Sequence, residues 1–207
     1  QTTDFPYTEE STLAFEQAPG KELPLKIRIP KWAKGAQITI NQNAVNATPG
    51  NDGYVTLTRT WKAGDTIQVR LQMESSLYVS REDSEGKIVA FRYGPILLAG
   101  ELEGRPVPTI VTETRDPAQI LKKQENAPLR FSIDGILKPG DSSISLKPFF
   151  EFISENYMVY WKLYTQAQYD ASGEGGDGFE ERLNSASYDV VYPNRPDSES
   201  AHNLQTL

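Results

Sequence analysis

In Leu25-Lys26-Ile27-Arg28-Ile29 every second residue is apolar, and Ile67-Gln68-Val69-Arg70-Leu71-Gln72-Met73 carries the same pattern further. A period of two puts all the apolar side chains on one face of an extended strand, with the polar ones facing water. A helix, with its period of 3.6, would scatter them around its circumference. This alternation commits the first hundred residues to half-buried strands. Further strands are expected at Thr12–Glu16, Ala36–Ile40, Tyr54–Arg59, Leu77–Ser80, Lys87–Arg92 and Pro95–Ala99. Turn signals separate them: Pro19-Gly20, Pro49-Gly50, Asp52-Gly53, Gly64-Asp65, Glu85-Gly86 and Gly94-Pro95. Short strands at this spacing, with no long helical crossovers between them, predict antiparallel sandwiches rather than parallel sheets.

The alternation pauses between Glu103 and Asn126. There Asp116-Pro117-Ala118-Gln119-Ile120-Leu121-Lys122-Lys123 carries an N-cap Asp, Pro in the first turn and Lys at its end, which predicts one short helix. Strands resume near Leu129–Ile133, Ser143–Leu146, Tyr157–Tyr164 and Ala186–Val191. The aromatic and β-branched run from Tyr157 to Tyr164 is expected to be a central strand. Ser172-Gly173-Glu174-Gly175-Gly176-Asp177-Gly178 is a flexible loop by composition. The expectation is an all-β chain of two antiparallel, jelly-roll-like β-sandwich domains with one short helix. A first sandwich would span 1–104, a connector 105–126 and a second, smaller β domain 127–193. Residues 194–207 would be a polar tail or the start of a further module. The opening at Gln1 and that polar tail suggest a piece of a longer polypeptide.

Composition narrows the chemistry. The 207 residues carry a formal charge of −7, which disfavours nucleic acid and anionic membrane surfaces as partners. No run approaches the roughly 18 apolar residues of a membrane-spanning helix. There is no cysteine and one histidine, His202, which leaves no thiolate metal site, no cysteine nucleophile and no His-triad zinc site. The glycine loop lacks the Lys-Ser/Thr of a phosphate cradle, and the Phe179-Glu180-Glu181 that follows would repel phosphate. Asp170, Glu174, Asp177 and Glu180 are oxygen donors, but their spacing is not that of an EF-hand calcium loop. Glu101, at the end of the apolar strand Ile96–Gly100, is the carboxylate to inspect for a glycosidase pair. Asn46-Ala47-Thr48 matches a glycosylation sequon. No catalytic, cofactor or metal residue is assigned. Trp32, Tyr54 and Trp61 at strand ends are candidates for stacking on sugar rings, the other reading being that each caps the sandwich core, and Trp161 is expected in the core.

Three segments in order carry a resemblance: Leu25 to Ala33, Gly53 to Asp65, and Val89-Ala90-Phe91-Arg92-Tyr93-Gly94-Pro95-Ile96-Leu97-Leu98-Ala99-Gly100-Glu101. Together they resemble the β-sandwich region that follows the catalytic barrel in glycoside hydrolase family 127, which includes β-L-arabinofuranosidases acting on plant arabinans. Gln1-Thr2-Thr3-Asp4-Phe5-Pro6-Tyr7 resembles the exit from that barrel. Leu146–Phe150 and Tyr157–Trp161 are similar to a later accessory domain, and Ser198–Asn203 to the start of a further module. Asn41-Gln42-Asn43 departs from the Asn-Gly turn expected at that place. The family's catalysis uses a cysteine nucleophile and a zinc site in an (α/α)6 barrel, and nothing in this chain matches either. The resemblance implies a non-catalytic accessory region that supports and orients a barrel outside the chain. The alternative it implies is a carbohydrate-binding module for arabinan-like polysaccharide. The partners implied are that barrel, a further C-terminal module, a plant-type oligosaccharide or a second copy of the chain, and the setting implied is secreted or periplasmic.

Overall fold

The computed structural model describes residues 1–174 except 19, 47, 82, 141–142 and 154–155. The expected strand Ala186–Val191, most of the glycine loop, Asp177, Glu180, the tail and the middle of the sequon lie outside the described residues. The first seven strands are β1 (Thr2–Thr3), β2 (Glu10–Ala14), β3 (Glu22–Arg28), β4 (Ala36–Ile40), β5 (Asn43–Val45), β6 (Tyr54–Thr60) and β7 (Thr66–Leu71). Five of them form one sheet in the order β1-β2-β7-β4-β5, while β3 and β6 pair as a separate ribbon. The sequence alternation survives as burial: Ile67 and Val69 point inward while Gln68 and Arg70 face out. Register aligns Leu13, Ile67 and Ile40 in one row, and Val69 with Ile38 in the next. On the ribbon, Leu25 faces Leu57 and Ile27 faces Val55. The two inner faces close on a buried cluster of Ile38, Ile40, Val55, Leu57, Trp61, Ile67 and Val69.

The remaining strands are β8 (Ser75–Val79), β9 (Ile88–Tyr93), β10 (Ile96–Glu101), β11 (Thr109–Val111), β12 (Lys122–Lys123), β13 (Phe131–Ile133), β14 (Leu137–Lys138), β15 (Ile144–Pro148), β16 (Tyr157–Met158) and β17 (Tyr160–Tyr164). They form one ten-stranded sheet whose main path runs β12-β13-β15-β10-β9-β17-β11-β14, with β8 added beside β9 and β16 beside β10. Its core is far larger and includes Phe91, Leu98, Phe131, Leu146 and Trp161. Each such side chain contributes about 1.5–3 kcal/mol when fully buried, so this sheet holds most of the described chain's apolar stabilisation.

The antiparallel all-β reading holds, with one exception among the described residues: β11 and β17 pair in parallel. Sheet membership changes near residue 73, whereas the expected connector was 105–126. β8, β9 and β10 hydrogen-bond to strands far downstream, Ala99 facing Lys147 and Ala90 facing Tyr160. The expected central strand Tyr157–Tyr164 is two strands, because β16 pairs with β10 and β17 with β9.

The expected helix forms as α1 (Pro117–Ile120), with Asp116 Oδ1 accepting the Ala118 amide at 3.0 Å. It stops after one turn, since Leu121 is extended and Lys122-Lys123 enter β12. A second helix, α2 (Gln166–Ser172), was not expected. Its signal was a capping box, Thr165 with Gln168, closed at the other end by the left-handed Gly173. No helix among the described residues is long and apolar enough to cross a membrane.

Candidate functional site

The three candidate stacking residues do not form one platform. Trp61 is 0% exposed, so it offers no face to a ligand. It fills the smaller core instead: Phe15 stacks on it at 4.6 Å, and its indole N–H donates to the Leu23 carbonyl at 2.9 Å. Tyr54 is at the surface, opening β6, with the Lys26 ammonium 5.8 Å above its ring. Trp61 is seven positions further on, about 23 Å along an extended chain. Trp32 is half-buried against the larger core and stacks with Phe5 at 6.0 Å. It is a contact between the two halves of the molecule. The sequence put these residues at strand ends correctly, but strand ends do not reveal which aromatic a neighbouring sheet will cover.

An aromatic seam forms where the segment after β1 meets Phe149–Phe152 and Tyr157. Phe5, Tyr7, Phe149, Phe150 and Tyr157 all keep substantial exposure, Phe150 the most at 56%. Tyr7 meets Phe150 edge-on at 6.3 Å, and Tyr157 packs on Phe149 and Phe152 at 5.3 and 5.1 Å. The seam is pinned by charge. The Tyr7 hydroxyl donates to Glu151 Oε1 at 3.1 Å, and Arg130 pairs with the other Glu151 oxygen at 2.6 Å. The hydrogen bond to the Glu151 carboxylate, then desolvation, raises the Tyr7 phenol above its ordinary value. Lys147 pairs with Glu101 at 2.6 Å and lies 4.3 Å over the Phe152 ring. Short alternation flags neither Phe5-Pro6-Tyr7 nor the short 3-10 turn Phe149–Glu151. The legible signal was the pair Phe149-Phe150 after a proline, an apolar excess beyond what β15 needs.

The carboxylates are engaged structurally. Glu101 ends β10 facing Lys147, and Glu151 is shared by Tyr7 and Arg130. Asp170 accepts the Gln166 side-chain amide at 2.7 Å along α2. Glu174 accepts the Thr109 hydroxyl at 2.7 Å and pairs with Lys162. Among the described residues no three His, Cys, Asp or Glu side chains converge as a metal cluster. A seam of exposed rings around a fixed ion pair can hold another surface by apolar burial and hydrogen bonding.

Residues 1–73 match the family model described as beta-L-arabinofuranosidase, GH127 middle domain. The match stops where hydrogen bonding passes from the first sheet to the ten-stranded one. No curated protein matches the chain. Among solved structures, a GH127 β-L-arabinofuranosidase from Geobacillus stearothermophilus superposes with a TM-score of 0.59 at 20% identity, covering 79% of this chain and 30% of that one. A structure described as a glycoside hydrolase gives 0.59 at 21% identity, with 79% and 32% covered. A GH127 β-arabinofuranosidase gives 0.60 at 20% identity, with 79% and 31% covered. The chain is similar in fold to part of each, and spans about a third of their length.

Proposed function

We propose that this chain is a non-catalytic accessory β-sandwich region of a glycoside hydrolase family 127-like protein, which supports and orients a catalytic barrel outside these residues. The observation that carries this reading is the match of residues 1–73 to that family's middle domain, a domain defined by having another beside it. The exposed aromatic seam supports it, because a surface made to be covered by another domain keeps such rings when that domain is absent. A further C-terminal module, self-association and a secreted or periplasmic setting belong to the same proposal and rest on the resemblance. The rival reading, a module for neutral arabinan held by Trp32, Tyr54 and Trp61, is weakened by the burial of Trp61.

The test is complementation. The chain alone is assayed with an aryl β-L-arabinofuranoside, and turnover by the chain itself would overturn the reading. The catalytic portion of the parent protein, produced without this chain, is expected to be inactive or insoluble and to regain activity when the chain is supplied. Phe150→Asp in the seam is expected to abolish that rescue while leaving the chain folded. A catalytic portion fully active by itself would remove the scaffold role.

A further inference from the structure

On the face of the larger sheet away from its core, strands β8, β9 and β17 lie side by side. Register aligns Tyr78 with Ala90, and Ala90 with Tyr160. Residues directly opposite one another point to the same face. Leu77, Val89, Phe91 and Trp161 take the core face, so Tyr78 and Tyr160 share the outer one. Two strand spacings set the tyrosines about 10 Å apart, and Ala90 between them is buried at 1% exposure, so the open space lies beside that row, toward Ile88 and Ser80. The result is an open cleft of about 620 Å³ walled by Tyr78 and Tyr160 and bordered by Ile88, Ser80, Arg81 and Asp83. Both rings keep their exposure, 36% for Tyr78 and 52% for Tyr160.

The charges around the cleft are uneven. Asp83 is already occupied, one carboxylate oxygen taking the Ile88 amide and the other the Glu85 amide at 3.1 Å. Arg81 at the border has no hydrogen-bond or ion-pair partner among the described residues. Arg59, Arg70, Arg105 and Arg130 have carboxylate partners, whereas among the described residues Arg28 has none and Arg115 bonds only the Gly86 carbonyl. A second guanidinium, Arg92, lies 5.9 Å over the Tyr78 ring and is likewise without a carboxylate. Arg81 and Arg92 flank the exposed Tyr78, while the ionised Asp83 at the same border keeps the cleft from being uniformly positive. Ser80 adds a hydroxyl at the rim.

We propose that this cleft binds the uronate unit of an acidic oligosaccharide. The sugar's C–H face lies against a tyrosine ring, and its carboxylate receives the planar fork of Arg81. The site is separate from the aromatic seam and stands or falls independently of the accessory role.

Calorimetric titration of the whole chain with trigalacturonate, with galactotriose and with acetate tests it. Trigalacturonate binds, galactotriose binds at least about tenfold more weakly, and acetate, which has a carboxylate but no ring, does not bind. Arg81→Gln lowers trigalacturonate affinity about tenfold and leaves galactotriose unchanged, as loss of a charge-assisted contact requires. Tyr160→Ala weakens both sugars, and unchanged circular dichroism confirms that both variants are folded. Equal affinity for the acidic and neutral trimers, acetate binding as well as the trimer, indifference to Arg81→Gln, or no binding at millimolar trigalacturonate would each overturn the proposal.

Discussion

Each half of the molecule closes around one fully buried tryptophan, and the two are accommodated in opposite ways. In the smaller sandwich the Trp61 indole N–H reaches the Leu23 carbonyl, a ring stacks on its face, and the Arg59 guanidinium lies 5.2 Å away. In the larger sheet the Trp161 N–H is buried with no hydrogen-bond partner among the described residues. An unmet buried donor costs about 1–3 kcal/mol. A large core absorbs that, because Trp161 packs among many apolar neighbours and fits where β10 has only a glycine. The small core has seven buried members completed by partly buried apolar neighbours, and the Leu23 carbonyl meets the one polar atom of its tryptophan. Core size decides how much imperfection a buried residue is allowed.

The largest expected effects come from emptying each core in turn. Trp61→Ala and Trp161→Ala should each cost about 3–5 kcal/mol, from lost burial and the cavity left behind. Hydrogen exchange read at Val55 and Val69 on one side, and at Val89 and Phe91 on the other, separates the halves. Trp61→Ala is expected to release the first pair's amides while the second stay protected, and Trp161→Ala to do the reverse. A single transition that releases all four in both variants would break the two-core description.

A smaller effect sharpens the contrast at one carbon. A Cβ on Gly100 would lie 2.6 Å from Trp161 Cζ2 and Cη2 and 2.9 Å from Ile144 Cγ2. Gly100→Ala should therefore cost about 1–3 kcal/mol by overpacking. The colliding atoms belong to the outer ring of the indole, which phenylalanine lacks. The double variant Gly100→Ala with Trp161→Phe is expected to lose less stability than the sum of the single changes, as residues in contact do. Strict additivity in urea melts would mean that the glycine is there for another reason.

These sites also show what the sequence could and could not disclose. Alternation located β3, β6 and β7 well, because one face of each is wet and the period is visible. It also placed Trp161 in a core. It could not say that Ile96–Glu101 pairs with residues nearly fifty positions on, since pairing partners are a tertiary choice. That is why the sheet changes near 73 although the pattern pauses after 103. For Trp61 the sequence left sugar stacking and core capping both open for a related reason: the chain before and after it is polar, and only the ribbon β3–β6 folding over it makes it core. The Tyr78–Ala90–Tyr160 row was equally hidden, being written across three strands.

Acid acts on the smaller sandwich through one buried carboxylate, by a smaller amount. Asp65 is buried beside the small core, accepting the Asn41 side-chain amide at 2.8 Å and the Lys62 amide at 2.9 Å, with Arg59 at 3.8 Å. The Asn41 bond first, then the Lys62 amide, hold its carboxyl below the ordinary aspartate range. The stabilisation is complete above that ordinary range and is lost as pH falls through the lowered folded value. The smaller sandwich should show an acid limb that Asp65→Asn flattens, with exchange at Val89 and Phe91 unaffected. An unchanged limb in Asp65→Asn would assign the acid sensitivity elsewhere.

The smallest expected effect lies in the turn between β4 and β5. Asn41 and Gln42 both have positive φ, 49° and 68°, the two-residue hairpin geometry that favours Asn-Gly. Asn41 suits its place, because its side chain both donates to Asp65 and accepts the Thr66 amide at 2.8 Å. Gln42 makes no comparable bond, so its Cβ carries left-handed strain that glycine would not. Against this, glycine loosens the unfolded chain and loses more entropy on folding. The strain of roughly 1–2 kcal/mol per non-glycine residue exceeds that entropy, so Gln42→Gly should stabilise the smaller sandwich by about 0.5 kcal/mol. Asn41→Gly should do the opposite, because it removes the bonds that hold Asp65 and close the strand after it. Urea midpoints that moved the same way for both substitutions would show that the turn's backbone, rather than the Asn41–Asp65 contact, governs this half of the molecule.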